Sequence, residues 1–183
     1  MNTKCILQVE DEEADVFLLQ LIFKRTGINS PVQAVTDGEM AIHYLSGVGR
    51  FADRQKYPLP CLVLLDLQLP KVSGLDVLAW IRQQPYLNRL VVVVFSSSAL
   101  PEDVSRAYEL GANSYIEKPS NMERTLELAQ LLKGWWLGFN RYAPIDVAPN
   151  LQGEPAKAAS SGTRLMSRPH FCDPPSSSSP PVS

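Results

Sequence analysis

The sequence predicts an α/β protein built around a parallel sheet, and three features point to it. Short apolar runs recur and each ends abruptly at polar residues: residues 5–9 run into Glu10-Asp11-Glu12, residues 61–65 into Asp66, residues 91–95 into Ser96-Ser97-Ser98, and Tyr115-Ile116 into Glu117-Lys118-Pro119. Unbroken apolar runs of this length suit strands covered on both faces. The segments between them carry apolar residues at helical spacing, so strand and helix alternate through five βα units. That alternation implies right-handed crossovers and helices on both faces of the sheet.

The elements follow in order. Residues 13–25 place Ala14, Leu18, Leu21 and Ile22 at helical spacing, with acids early, Lys24 and Arg25 late, and Gly27 positioned to end the helix. Residues 32–35 form a short second strand, and Asp37 can cap a helix running to about Leu45. Residues 46–60 show no periodicity and contain Gly47, Gly49, Pro58 and Pro60, a loop much longer than the roughly 2 to 6 residues usual between such elements. It is read either as a functional loop or as a surface insertion. Ser73-Gly74 opens a third helix with Leu75, Leu78 and Ile81 on one face, ending before Pro85. The fourth strand spans residues 90–95, and Pro101 suits the first turn of a helix that closes at Gly111. A fifth strand around residues 114–116 precedes a last helix over residues 121–140.

Composition narrows the function classes. The chain has 183 residues, 45% of them hydrophobic, enough for one ordinary domain and something extra. A net charge of -2 gives no general attraction to nucleic acid or to anionic membranes. No apolar stretch approaches the length of a membrane span and no leader-like segment opens the chain, so a cytoplasmic protein is expected. Of the three cysteines, Cys5 and Cys61 begin apolar runs and read as small hydrophobes, while Cys172 lies in a polar stretch. His43 and His170 are too few and too far apart for a zinc site or a catalytic triad. From residue 143 onward the composition turns to Pro, Ser, Gly and Ala, so residues 1–142 are expected to fold and residues 143–183 to form a disordered tail.

If the strands are parallel neighbours, their carboxyl ends gather Glu10, Asp11, Asp66, Ser96 and Lys118 at one sheet edge, where ligands collect in open α/β folds. Carboxylates brought together repel, by about 4 kcal/mol for two charges 4 Å apart at an effective dielectric near 20. Such a cluster raises a pKa or recruits a cation, and oxygen ligands without His or thiolate favour Mg²⁺. A cation beside one protruding Asp, with an ammonium and a hydroxyl nearby, suits phosphoryl transfer to that carboxylate. Asp66 is then the nucleophile, Lys118 neutralises a phosphoryl oxygen and Ser96 donates to another.

The wording at these strand ends, Val9-Glu10-Asp11-Glu12, Leu65-Asp66-Leu67-Gln68-Leu69-Pro70 with Gly74, Phe95-Ser96-Ser97 and Tyr115-Ile116-Glu117-Lys118-Pro119, resembles the receiver domains of two-component response regulators over about residues 4–140. The resemblance implies a flavodoxin-like (CheY-like) doubly wound fold of five parallel strands in the order 2-1-3-4-5. It also implies Asp66 as phosphoacceptor, with Asp11, Asp66 and the Gln68 carbonyl as direct Mg²⁺ ligands and Glu10 acting through water. Ser96 and Tyr115 become a switch pair that moves inward on phosphorylation, and the Lys118-Pro119 bond is one often found cis. Glu10 stands where Asp is commoner and Ser96 where Thr is commoner. The long loop, the Leu-Leu-Asp-Leu-x-Leu-Pro wording and the Trp-rich last helix resemble the single-domain regulators that serve bacterial phytochromes.

The function implied is a response regulator that takes a phosphoryl group from the His of a sensor histidine kinase, is catalytic only toward itself, and signals by protein contact. A relay intermediate that hands phosphate to a His-containing carrier and a pseudo-receiver without phosphate turnover are the alternatives. The pseudo-receiver requires the loss of Asp11, Asp66 or Lys118, and all three are present. An aspartyl-phosphate hydrolase requires an Asp two residues after the nucleophile, where Gln68 stands. A nucleotide-binding protein of this fold requires a Gly-rich loop after the first strand, where the acids repel phosphate.

Read at about 100° per residue, the last helix carries two apolar stripes. Met122, Leu126, Ala129, Leu132 and Trp136 suffice to cover the sheet; Leu128, Leu131, Trp135 and Phe139 form a second, joined by Tyr142 if the helix reaches it. A helix lying on a sheet needs only one stripe, so the second predicts a homodimer surface unless the tail or the long loop covers it.

Overall fold

The computed structural model describes residues 4–143 and 145. Five strands, β1 (Ile6–Val9), β2 (Val32–Val35), β3 (Leu62–Leu65), β4 (Val91–Ser96) and β5 (Ser114–Glu117), form one parallel sheet in the order β2-β1-β3-β4-β5. Five helices alternate with them: α1 (Glu13–Arg25), α2 (Gly38–Ser46), α3 (Gly74–Gln83), α4 (Pro101–Glu109) and α5 (Met122–Leu132).

Side chains alternate across the sheet with the period of two that a strand imposes. Leu7, Val9, Val63, Leu65 and Val92 face α2 and α3, packing on Tyr44, Leu45, Val77, Leu78 and Ile81. Ile6, Leu62, Leu64, Val93 and Phe95 face α1 and α5, packing on Leu19, Ile22, Phe23, Ala129 and Leu132. Each Val, Leu, Ile or Phe among them, withdrawn from water, contributes about 1.5–3 kcal/mol, which holds the sheet edge in place as a rigid support. Only Ala107 of α4 belongs to a buried cluster, with Leu67 and Val94.

The helix ends obey the sequence signals. Asp37 accepts the Met40 N–H at 2.6 Å and Asn121 accepts the Arg124 N–H at 2.9 Å, each satisfying a donor the helix leaves free. Gly27 takes the left-handed conformation (φ +70°) just beyond α1.

Residues 46–60 are built into the fold rather than idle. Phe51 packs tilted and Tyr57 edge-on against Tyr44 of α2, with ring centroids 5.2 and 6.1 Å from it. Arg54 donates to the carbonyls of Tyr44 and Leu45 at 2.7 Å each, satisfying the C-terminus of α2, and the Tyr44 hydroxyl donates to the Pro58 carbonyl at 2.8 Å. The loop therefore serves the α2–α3 layer, on the opposite face of the sheet from α5.

The end of the last helix departs from expectation. The α-helix stops at Leu132, and Lys133–Phe139 continues as a π-helical segment closed by the Asn140 N–H on the Trp135 carbonyl at 2.8 Å. Gly134 and Gly138, poor α-helix formers, sit in this segment, and the Lys133 ammonium reaches the Thr26 carbonyl at 2.8 Å. Tyr142 lies beyond it and donates its hydroxyl back to the Trp136 carbonyl. Of the expected tail, residues 143–183, only Ala143 and Ile145 fall within the described residues, and Ile145 packs against the α2–α3 cluster. Cys172 and His170 lie outside them.

Candidate functional site

Strand register assembles the site. Val9 pairs with Leu65 and Leu65 with Val94, so the next residues along, Glu10 and Asp66, stand abreast beside the end of β4. Ser96 pairs with Glu117, which brings Lys118 to the same edge. Carboxylate oxygens of Glu10, Asp11 and Asp66 come within 4.8 Å of one another. Glu10 and Asp66 are buried, whereas Asp11 is exposed.

Every oxygen of Asp66 has donors. Its Oδ1 accepts the Ser96 hydroxyl at 2.6 Å, the Leu67 N–H at 2.5 Å and the Gln68 N–H at 3.2 Å. Its Oδ2 accepts the Lys118 ammonium at 2.7 Å. The same ammonium reaches Glu10 Oε2 at 2.6 Å and Asp15 Oδ2 at 2.9 Å, so its three N–H groups meet three carboxylates. Burial alone lowers the pKa of Lys118, but the bonds to Asp66, Glu10 and Asp15 outweigh it and hold the ammonium above the ordinary lysine range. The lysine is thus fixed as a cation among acids.

The turn after β3 keeps Asp66 in place. Gly74 N–H donates to the Leu67 carbonyl at 3.0 Å, and the backbones pass so close that a Cβ on Gly74 would lie 2.0 Å from the Asp66 carbonyl oxygen. Next along the same turn, Lys71 adopts a left-handed φ of 66° and pairs with Asp37 at 2.8 Å and Glu39 at 3.2 Å. This ties the turn to the start of α2.

Tyr115 lies one layer out. Its hydroxyl donates to the Ser98 carbonyl at 2.8 Å, linking β5 to the β4–α4 loop, while Ser96 of that strand end already bonds to Asp66. No cis peptide bond occurs among the described residues. The Lys118-Pro119 bond, expected as a candidate for cis, is trans, the preferred state of an X-Pro amide.

Of the residues expected at the site, Glu10, Asp11, Asp66, Ser96 and Lys118 form one cluster at the sheet edge, and exposed Gln68 joins through its N–H. The sequence reading overlooked Asp15. It occupies the position on α1 where the apolar stripe of Leu18, Leu19 and Ile22 would extend, and a carboxylate in line with an apolar stripe is itself a signal.

An oxygen-lined acidic pocket at the carboxyl edge of a 2-1-3-4-5 parallel sheet, with a lysine bound to its central aspartate, defines a receiver, and residues 6–130 match the response regulator receiver domain. The chain belongs to that family of two-component signalling proteins. It is 39% identical over 134 residues to the response regulator Rcp1 of Synechocystis sp., covering 73% of this chain and 89% of that protein. It is 39% identical over 139 residues to the probable methanogenesis regulatory protein FilR2 of Methanothrix harundinacea, covering 74% and 85%. Among solved structures, the Mn²⁺-bound form of Rcp1 superposes with a TM-score of 0.70 at 37% identity, over 77% of this chain and 99% of that one. The phosphorylated cyanobacterial phytochrome response regulator RcpA gives 0.72 at 35% identity over the same shares. The chain is therefore similar to phytochrome-type response regulators. Its three carboxylates form an all-oxygen donor set of the kind that holds a hard divalent cation. No helix among the described residues is long and apolar enough to cross a membrane.

Proposed function

We propose that this receiver accepts a phosphoryl group on Asp66 from the phosphohistidine of a sensor histidine kinase, in a phytochrome-linked pathway, and passes the signal on by protein contact in the cytoplasm. The observation that carries the reading is the convergence on Asp66: Ser96 Oγ at 2.6 Å on one oxygen and Lys118 Nζ at 2.7 Å on the other. An Asp66 oxygen attacks phosphorus, the P–N bond to the donor imidazole breaks with its electron pair going to that nitrogen, and the imidazole leaves neutral, keeping the proton already on its other ring nitrogen. Lys118 and Ser96 then turn from the carboxylate to the phosphoryl oxygens, placed for charge that develops there. Glu10, Asp11, Asp66 and the Gln68 carbonyl are the proposed holders of Mg²⁺, which when bound neutralises phosphoryl charge. The site works on its own aspartate and on no separate substrate.

Ser96 and Tyr115 are the proposed switch pair: a Ser96 hydroxyl that follows the phosphoryl group shifts the β4–α4 loop that Tyr115 holds at Ser98. A homodimer through α4, β5 and the second apolar stripe is the proposed output form. Leu131, Trp135 and Phe139 support it, being 69%, 63% and 83% exposed, whereas Leu128 is partly packed into the α1–α5 layer. Incubation with acetyl phosphate and Mg²⁺, followed by intact mass measurement, tests the acceptor. One phosphoryl group should appear on the wild type and none on Asp66→Asn; labelling of that variant at the wild-type rate would discard the assignment.

A further inference from the structure

The Lys118 ammonium is shared by three carboxylates, and their fates differ. Glu10 and Asp66 belong to the cation-holding cluster, and Asp66 is also the proposed acceptor. Asp15 belongs to neither set. It stands on the first turn of α1, its side chain 42% exposed, and contacts the ammonium at 2.9 Å. Around this contact Leu18, Leu19, Phe95, Pro119 and Thr125 line a small cavity that bounds the lysine on its apolar side.

We propose that Asp15 is a positioning residue for Lys118: it keeps the ammonium at the pocket wall while the other two carboxylates are taken up by the cation and the phosphoryl group. The proposal rests on the phosphoacceptor reading above. The bland explanation for an acid here is the favourable field of a helix N-terminus, which Glu13 of the same turn enjoys equally. What separates the two acids is contact with the lysine, made by Asp15 and by no oxygen of Glu13. With Asp15 neutralised, the ammonium keeps only Glu10 and Asp66 as anionic partners. It then settles between them and competes with the cation, and as those groups are engaged it loses its hold at the wall.

The sign of one rate decides the matter. A rim carboxylate that acts only through its field repels an anionic phosphodonor, so removing it speeds labelling. Loss of the lysine's anchor slows it. Labelling by acetyl phosphate is to be followed at saturating Mg²⁺ in full-length wild type, Asp15→Asn and Glu13→Gln, with circular dichroism to confirm that each is folded. Asp15→Asn should label about fivefold more slowly, the kinetic equivalent of one half-exposed ion pair, and Glu13→Gln should match or slightly exceed the wild type. A rate for Asp15→Asn equal to or above that of the wild type overturns the proposal, as does equal slowing of both variants. Failure of the wild type to label, or labelling of Asp66→Asn, would instead sink the acceptor reading and is seen separately in the same experiment.

Discussion

At the scale of single residues, the site is limited by space as much as by charge. Gly74 passes so close to the Asp66 backbone that any side chain must displace the turn carrying the proposed acceptor. Gly74→Ala should therefore destabilise the protein by about 1–3 kcal/mol, as overpacking of a fitted site does, and should slow phosphorylation of the folded fraction as well. Urea unfolding and mass-detected labelling measure the two effects, and an unchanged urea midpoint would show that the turn can yield. The glycine was legible in the sequence only as part of a motif, because a close backbone approach leaves no trace in hydrophobicity. Asp66, Glu10 and Asp11 were legible for the opposite reason. Asp66 interrupts an apolar run, Glu10 follows one directly and Asp11 comes next, and parallel register turns that break in polarity into a shared location. Asp15 left a local trace in line with the apolar stripe of α1, but what it touches did not show, because the contact is made across elements by a lysine 103 positions away.

At the scale of elements, two ties hold the α2–α3 layer that backs the site. Arg54 satisfies the last carbonyls of α2 from within the long loop. Arg54→Met keeps the bulk and removes the donors, so it should cost about 1–3 kcal/mol, read as a lower urea midpoint, while phosphorylation stays at the wild-type rate. The second tie is pH dependent. Burial pushes the Asp37 carboxyl up, but the Lys71 ammonium and the Met40 N–H outweigh this and leave it below the ordinary aspartate value of 3.8. A depressed folded pKa means that its contribution is complete above the unfolded value and is lost as pH falls through the folded one. Asn caps a helix about as well as Asp, so Asp37→Asn isolates the charge. Its stability deficit at pH 7 should shrink as pH falls below the ordinary aspartate value and on through the depressed folded one; a constant gap between the two proteins would refute the linkage. Helix starts such as Asp37 could be read from the sequence because a cap is local chemistry. The π-helical end of the last helix could not, since its two glycines weaken α-helix without specifying what replaces it. The aromatic packing of Phe51 and Tyr57 on Tyr44 was equally invisible, their spacing following no strand or helix period.

At the scale of the whole molecule, the proposed output face and the proposed phosphoacceptor are joined through β5, which carries Tyr115 and leads into Lys118. Trp135→Glu combined with Phe139→Glu should give a folded monomer that still accepts phosphate, whereas the wild type should self-associate. Sedimentation at high micromolar concentration checks this, and a monomeric wild type with and without phosphoryl group would dismiss the dimer. The pattern of strands and helices was open to sequence reasoning because the fold is built from nearly uninterrupted apolar strands. Which apolar stripe of the last helix stays in water was only partly so, since Leu128 packs inward where the helical wheel put it with Trp135. One further consequence follows from the Lys118 ammonium. A pocket of bare acids would carry a repulsion that a bound metal relieves. Here the chain brings its own counter-ion, so exhaustive chelation should lower the melting temperature only by the small mass-action increment, about 0.4 kcal/mol when free cation equals the dissociation constant. A collapse of the fold in chelator would contradict this. In a cell, a fall in the proposed cation, Mg²⁺, would then act as a brake on the rate of the proposed signalling and leave the supply of folded regulator untouched, so the pathway could resume at once without new synthesis.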